Sequence, residues 1–234
     1  KITNTYKAGG SAQLEASKAV EGVDWPEGKE LTFTLTGEGG TLPEETTRTL
    51  TAAGKVKFDA IKYTEADIGK TYTYTISEGQ GFGKDWTASG DVTATVKVTD
   101  KGDGTLATEV TYDPENKTIT NSYTPETTVV KVTKKWDDDS DRDRIRPEEL
   151  ELTLNGAPAG SKVPEPVLTK DGNSWTYTWS GIPKNWDGKE IEYTVTEENV
   201  PEGYTCKGSP ASAGGTITNS YEPEKTSINV VKEW

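Results

Sequence analysis

The chain has 234 residues, room for two ordinary domains or one large sandwich, and it carries a formal charge of −13 with no histidine and a single cysteine. That acidity repels phosphate backbones and excludes nucleic acid as a partner. The missing histidine excludes histidine-dependent triads and zinc sites, and a lone Cys206 excludes an intrachain disulfide.

No apolar run approaches the roughly 18 residues that a spanning helix needs, so no membrane insertion is expected of this segment. Disorder is excluded too, because seven tryptophans and ten tyrosines supply buried surface that disordered chains lack. Neither a signal peptide nor a sorting tail is visible, and the sequence reads as an internal fragment.

Alternation of period two marks the strands. In chain order these are LTFTLTG (31–37), KVKFDAI (55–61), KTYTYTISE (70–78) and DVTATVKVTD (91–100), with a short helix near 65–68. ELELTLNG (149–156), SWTYTWSG (174–181) and EIEYTVTEE (190–198) follow. Asp-Gly pairs at 103–104, 171–172 and 187–188 mark turns. Short strands at this spacing, without helical periods, predict an all-β chain of antiparallel, immunoglobulin-like sandwiches.

Internal repeats set the boundaries. The string ITN-x-Y recurs at 2–6, 119–123 and 217–221, and TPETTVVKVTKKW after the second copy parallels EPEKTSINVVKEW after the third. Each ITN-x-Y closes one unit and a lysine-bearing strand opens the next. Two tandem sandwiches are therefore expected, at 7–124 and 125–222. Residues 1–6 read as the last strand of a preceding repeat, and residues 223–234 as the first strand of a following one. By the same repeat logic the counterparts of Asn4 and Lys232 in neighbouring repeats lie outside this sequence, and neither residue is expected to react here. Short Tyr-x-Pro-Glu links stiffen the junctions and suggest a rod.

Alternation also assigns faces. Leu14, Ala16 and Lys18 share one, as do Tyr74, Ile76 and Glu78, and Ile119, Asn121 and Tyr123. The second unit repeats the pattern with Val130, Val132 and Lys134, then Tyr193, Val195 and Glu197, then Ile217, Asn219 and Tyr221. Each unit thus aims a lysine, a glutamate and an asparagine at its core. Lysine is almost never fully buried without a partner. Two readings fit: a buried Lys–Glu ion pair with asparagine filling hydrogen bonds, or an intramolecular Lys–Asn amide. For the second, a dry core disfavours both charges, and a neutral amine held against a carboxamide is a nucleophile that a neighbouring acid can assist.

The strings VTKKWDDD, RPEELELTLNG, WTYTWSGIPKNWDGKEIEYTVTEENVPEGY and TITNSY, covering nearly all of 130–221, resemble the collagen-adhesin B-type (Cna B-type) repeat of Gram-positive surface proteins. LEASKAVEG, ELTFTLTG, DIGKTYTYTISE and ITNSY, over 12–123, resemble the streptococcal backbone-pilin domain more loosely. The resemblance implies adjacent first and last strands and Lys–Asn isopeptide bonds, Lys18 to Asn121 and Lys134 to Asn219. Glu78 and Glu197 would assist their autocatalytic formation. It favours the amide over the ion pair. It also implies a non-enzymatic stalk of a cell-wall-anchored adhesin or pilus-like protein, without cofactor. Its partners would be neighbouring repeats of the same chain and the host extracellular matrix or cell surface, and a monomer is expected. The alternative is a ligand-binding adhesin module that uses exposed loops or Trp25, Trp86 or Trp186.

Weaker signals have simpler readings. Asp137, Asp139, Asp141 and Asp143 with Glu148 match calcium-loop spacing, but Arg142 occupies the position that needs glycine, so a solvated loop without metal is expected. LPEET (42–46) departs from a sortase signal, and YTCKG around Cys206 lacks thioester context. IPKN (182–185) is similar to a pilin polymerisation motif, whose lysine would be Lys184, but B-type repeats commonly carry such a string before their Asp-Gly turn. Cys206 reads as a lone thiol in a loop or strand edge.

Overall fold

In the computed structural model, residues 5–223 and 225–233 are described. They fall into two compact units, 1–124 and 125–234. Strands dominate both, and the one short helix, Glu65–Asp67, is a single 3-10 turn where the sequence suggested it.

In the first unit a five-stranded sheet runs Leu106–Asp113, Val92–Asp100, Thr71–Glu78, Leu31–Glu38 and Thr47–Leu50. A four-stranded sheet runs Gly54–Lys57, Glu15–Glu21, Thr118–Tyr123 and Trp86–Ala88. Residues of alternating strands fill the space between them, with Phe33, Tyr74, Ile76 and Val92 from one sheet and Ala16, Val56 and Ile119 from the other. Full burial of each large side chain stabilises by about 1.5–3 kcal/mol. The run 55–61 is not one strand. It breaks where the Phe58 amide turns to the Leu14 carbonyl (3.0 Å), and Ile61–Thr64 leaves to pair with Gly9–Ala12.

The second unit has a five-stranded sheet of Val167–Asp171, Ser174–Pro183, Thr127–Asp137, Thr216–Ser220 and Thr205–Lys207. Thr153–Asn155, Thr194–Thr196 and Ala211–Ser212 form the second sheet, and Val130, Val132, Trp175, Val195 and Ala211 share one core. The Asp187-Gly188 turn joins Asn185–Trp186 to Lys189–Glu190, with φ of +47° and +75° at its two centres, as a tight hairpin turn requires. Residues 225–233 are exposed. Asn4 lies outside the described residues.

One expectation needs correction. Strand pairings among the described residues are antiparallel except one in each unit: Glu15–Glu21 runs parallel to Thr118–Tyr123, and Thr127–Asp137 runs parallel to Thr216–Ser220. The opening and closing strands of each unit are therefore hydrogen-bonded neighbours that point the same way.

Gly208 follows Thr205–Lys207 with φ +82°, and a Cβ there would meet the Thr216 carbonyl oxygen at 2.4 Å. The contact sits at the start of the closing strand. Gly208→Ala should cost about 2–3 kcal/mol, seen as a lower denaturant midpoint at unchanged slope.

Candidate functional site

Each closing strand is registered identically on its opening strand. Ile119 faces Lys18 and Asn121 faces Val20, while Ile217 faces Lys134 and Asn219 faces Trp136. The asparagine thus lies two residues beyond the lysine on the neighbouring strand, on the same inward face. A lysine leaning along its strand spans that diagonal. The glutamates come from the other sheet: Glu78 ends Thr71–Glu78, and Glu197 follows Thr194–Thr196.

The three side chains meet in both units. Lys18 Nζ lies 2.8 Å from Glu78 Oε2, and Asn121 Nδ2 donates to Glu78 Oε1 at 2.6 Å. Lys134 Nζ lies 2.9 Å from Glu197 Oε2, and Asn219 Nδ2 donates to Glu197 Oε1 at 2.6 Å. Both lysine side chains are 0% exposed, against 5% for Glu78 and 0% for Glu197. Burial lowers both lysine pKa values below the usual ammonium range, although the facing carboxylates pull the other way.

One feature sets this apart from a well-satisfied ion pair: Oδ1 of both Asn121 and Asn219 is buried without a partner. A buried charge pair rarely stabilises a fold over apolar residues of equal volume, and an orphaned buried oxygen adds about 1–3 kcal/mol of cost. Both units nonetheless make the same arrangement.

The surroundings differ. In the first unit a glycine-rich loop covers the carboxyl, and a Cβ at Gly81 would lie 3.3 Å from Glu78 Oε1 and 3.6 Å from Asn121 Nδ2. A surface pocket lined by Glu78, Gly81, Trp86, Ala88 and Asn121 opens beside it. In the second unit Cys206 faces Asn219 on the edge strand Thr205–Lys207, and its Sγ donates to Glu197 Oε2 at 3.6 Å. Lys134 Nζ also lies 4.9 Å from the Trp136 ring centroid.

The acidic loop is organised by an arginine. Asp138, unremarked in sequence, is its buried member, 3% exposed. It accepts from Arg146 Nη2 (2.5 Å) and Nε (3.0 Å), from the Tyr204 hydroxyl (2.9 Å) and from the Asp141 amide (3.1 Å). The residues with calcium-loop spacing make other contacts. Asp137 accepts from the Ser220 hydroxyl (3.4 Å), Asp139 pairs with Arg142 (2.9 Å) and Asp141 accepts from the Arg146 amide (3.0 Å). Glu148 offers its backbone carbonyl to Lys170. Among the described residues no cluster of three acidic, cysteine or histidine side chains is placed to hold a metal. Lys184 is half exposed near Glu126 (3.9 Å), and Trp25 packs edge-on against Phe82 at 4.8 Å between centroids.

Burial works against ionisation of Asp138, but Arg146, the Asp141 amide and Tyr204 outweigh it and hold its pKa below the ordinary 3.8. A depressed carboxyl pKa stabilises the fold above the unfolded value and ceases to do so as pH falls through the folded one. Asp138→Ala should therefore cost the second unit about 3 kcal/mol at pH 7. The gap to the parent chain should narrow below about pH 4, read from urea unfolding across pH.

Comparison with known proteins agrees with this division of the chain. Residues 14–124 match the Spy0128-like isopeptide containing domain, and residues 130–220 match the Cna protein B-type domain. The collagen adhesin of Staphylococcus aureus is 38% identical over 127 residues, 54% of this chain, which spans only 11% of that protein. Among solved structures, a single B repeat unit of the S. aureus collagen-binding surface protein is 25% identical, with a TM-score of 0.32 over 92% of this chain and 100% of that one. Its two-repeat form is 26% identical, with a TM-score of 0.34 over 93% and 51%. The chain joins a Spy0128-like isopeptide containing domain to a Cna protein B-type domain.

Proposed function

We propose that each buried cluster completes a Lys–Asn isopeptide bond, and that the two units are stalk segments of a cell-wall-anchored surface adhesin or pilus-like protein. The observation that carries this reading is the repetition of one costly arrangement, in one register, in both units.

Burial disfavours the lysine ammonium, and its proton passes to the carboxylate it touches. The neutral Nζ then attacks Cγ of the asparagine. A half-turn of the carboxamide exchanges Oδ1 with Nδ2, so the protonated glutamate can donate to the oxygen and polarise the carbonyl. The Nζ–Cγ bond forms, the Cγ–Nδ2 bond breaks, and the glutamate carries the proton from Nζ to the departing nitrogen. The nitrogen departs as ammonium, carrying its own two hydrogens, one from Nζ and the lysine ammonium's original proton, and the glutamate returns to a carboxylate. Nothing is turned over, so the glutamates act once and the chain is no enzyme.

The bond would join neighbouring opening and closing strands. Tension entering at Lys18 would leave at Asn121 without stretching the sequence between them, and Lys134 and Asn219 would do the same for the second unit. An unprotected chain would extend by roughly 3.3–3.6 Å for every residue unravelled. By analogy with disulfides that close loops of similar length, each bond adds about 4–5 kcal/mol. The parent protein would work outside the cell as a monomer, among neighbouring repeats of its own chain. The second reading, a ligand-binding adhesin module that contacts host matrix, is suggested by the collagen adhesin relative; of its aromatic candidates, Trp25 packs against Phe82.

Intact mass tests the proposal. The parent chain should be lighter than its sequence by two ammonia molecules, Glu78→Gln or Glu197→Gln by one, and the double variant by none. A parent chain of unmodified mass would leave only the ion pairs.

A further inference from the structure

We infer that Cys206 is a positioning residue for the Lys134–Asn219 bond, acting through Glu197. The inference rests on the crosslink reading above and adds to it a role for a residue outside the triad.

Three observations lead there. Cys206 is the residue registered directly opposite Asn219, and its thiol donates to Glu197 Oε2 at 3.6 Å. The position registered opposite Asn121 in the first unit is Ala88, which is exposed and has nothing to donate. There Glu78 Oε2 is a buried atom without a hydrogen bond, whereas Glu197 Oε2 has the thiol.

The thiol is suited to the task. Burial raises its pKa first and the Glu197 carboxylate second, with Lys134 opposing, so it stays protonated and able to donate. Holding Oε2 fixes the rotation of the carboxyl and keeps Oε1 on the Asn219 carboxamide. A weak donor suits the step, because the same oxygen also faces Lys134 Nζ at 2.9 Å and must remain able to take its proton. In the first unit the loop backbone at Gly81 comes close to the carboxyl instead, a Cβ there lying 3.3 Å from Glu78 Oε1. No sulfur chemistry is required: the thiol is unchanged by the reaction.

The test follows bond formation in the whole chain during cell-free synthesis, quenched at intervals, with each linked peptide pair quantified by mass after digestion. Cys206→Val removes the donor and should slow the Lys134–Asn219 bond by about tenfold, the scale of one hydrogen bond lost at about 1.4 kcal/mol. Cys206→Ser restores a donor and should stay within about twofold of the parent. The Lys18–Asn121 bond is the internal control and should be unaffected. Should valine disturb folding of the second unit, Cys206→Ala removes the donor with a smaller side chain. Parent-like rates without the donor, or a serine variant as slow as valine, overturn the inference and leave the crosslink reading standing. Absence of the Lys134–Asn219 pair from the finished parent chain overturns both.

Discussion

A carboxyl group from one sheet that reaches an amine and a carboxamide on two adjacent strands of the other ties together every level of these units. It needs opening and closing strands to be neighbours, and it needs them parallel, so that Lys18 and Asn121, or Lys134 and Asn219, fall on one inward face two positions apart. It also needs the facing sheet at the depth that puts Glu78 or Glu197 within 2.6 Å of the carboxamide nitrogen. A slip of one residue in any of the three strands would turn one partner to solvent and leave the others buried and unpaired. The cluster is therefore a register device, whether or not it reacts as proposed.

Much of this was legible in the sequence, for a local reason. Side chains alternate with period two, so Val132 identifies the face of Lys134 and Ile217 that of Asn219 without knowledge of the fold. The repeats then paired residues that lie far apart in the chain. Strand direction was not legible, because spacing carries no sign, and the parallel pairing came as a correction. The strand Leu106–Asp113 escaped notice because it is a sheet edge whose faces are mostly half-exposed or exposed. Asp138 looked like one more member of an acidic run. Its burial comes from Arg146 and from Tyr204, 66 residues away, and nothing in the run itself distinguishes it from Asp137 or Asp139. Cys206 reads in the sequence only as a lone thiol in a loop or strand edge, and its contact with Glu197 depends on a pairing across strands that no motif encodes.

The two clusters share a core and differ in what surrounds it. Lysine, glutamate, asparagine and their register are common to both. The cover is not: the first uses Gly81 beside an open pocket, the second a thiol. Tryptophan is also unequal, since Trp136 presents its ring to Lys134 at 4.9 Å. An aromatic face favours a cation, so it steadies the ammonium before reaction and opposes its deprotonation. The second centre thus has a stronger hold on its charged starting state and a better-anchored carboxyl.

An ion pair and an amide ask opposite things of such a core. A pair is worth most when both charges persist and every lone pair is satisfied, which is the condition that these clusters fail. An amide needs the charges to be lost, the amine neutral and the carboxamide oxygen still available for a proton donor. Burial that lowers both lysines would serve that purpose, whereas the asparagine, with its nitrogen on the carboxyl and its oxygen unpartnered, would first have to turn over. Neutral lysine and an unpaired carboxamide oxygen, defects in a finished core, are what the proposed reaction would require. In the proposed product, lysine and asparagine would become a single neutral amide, and the cost of burying them would fall to that of an ordinary peptide group.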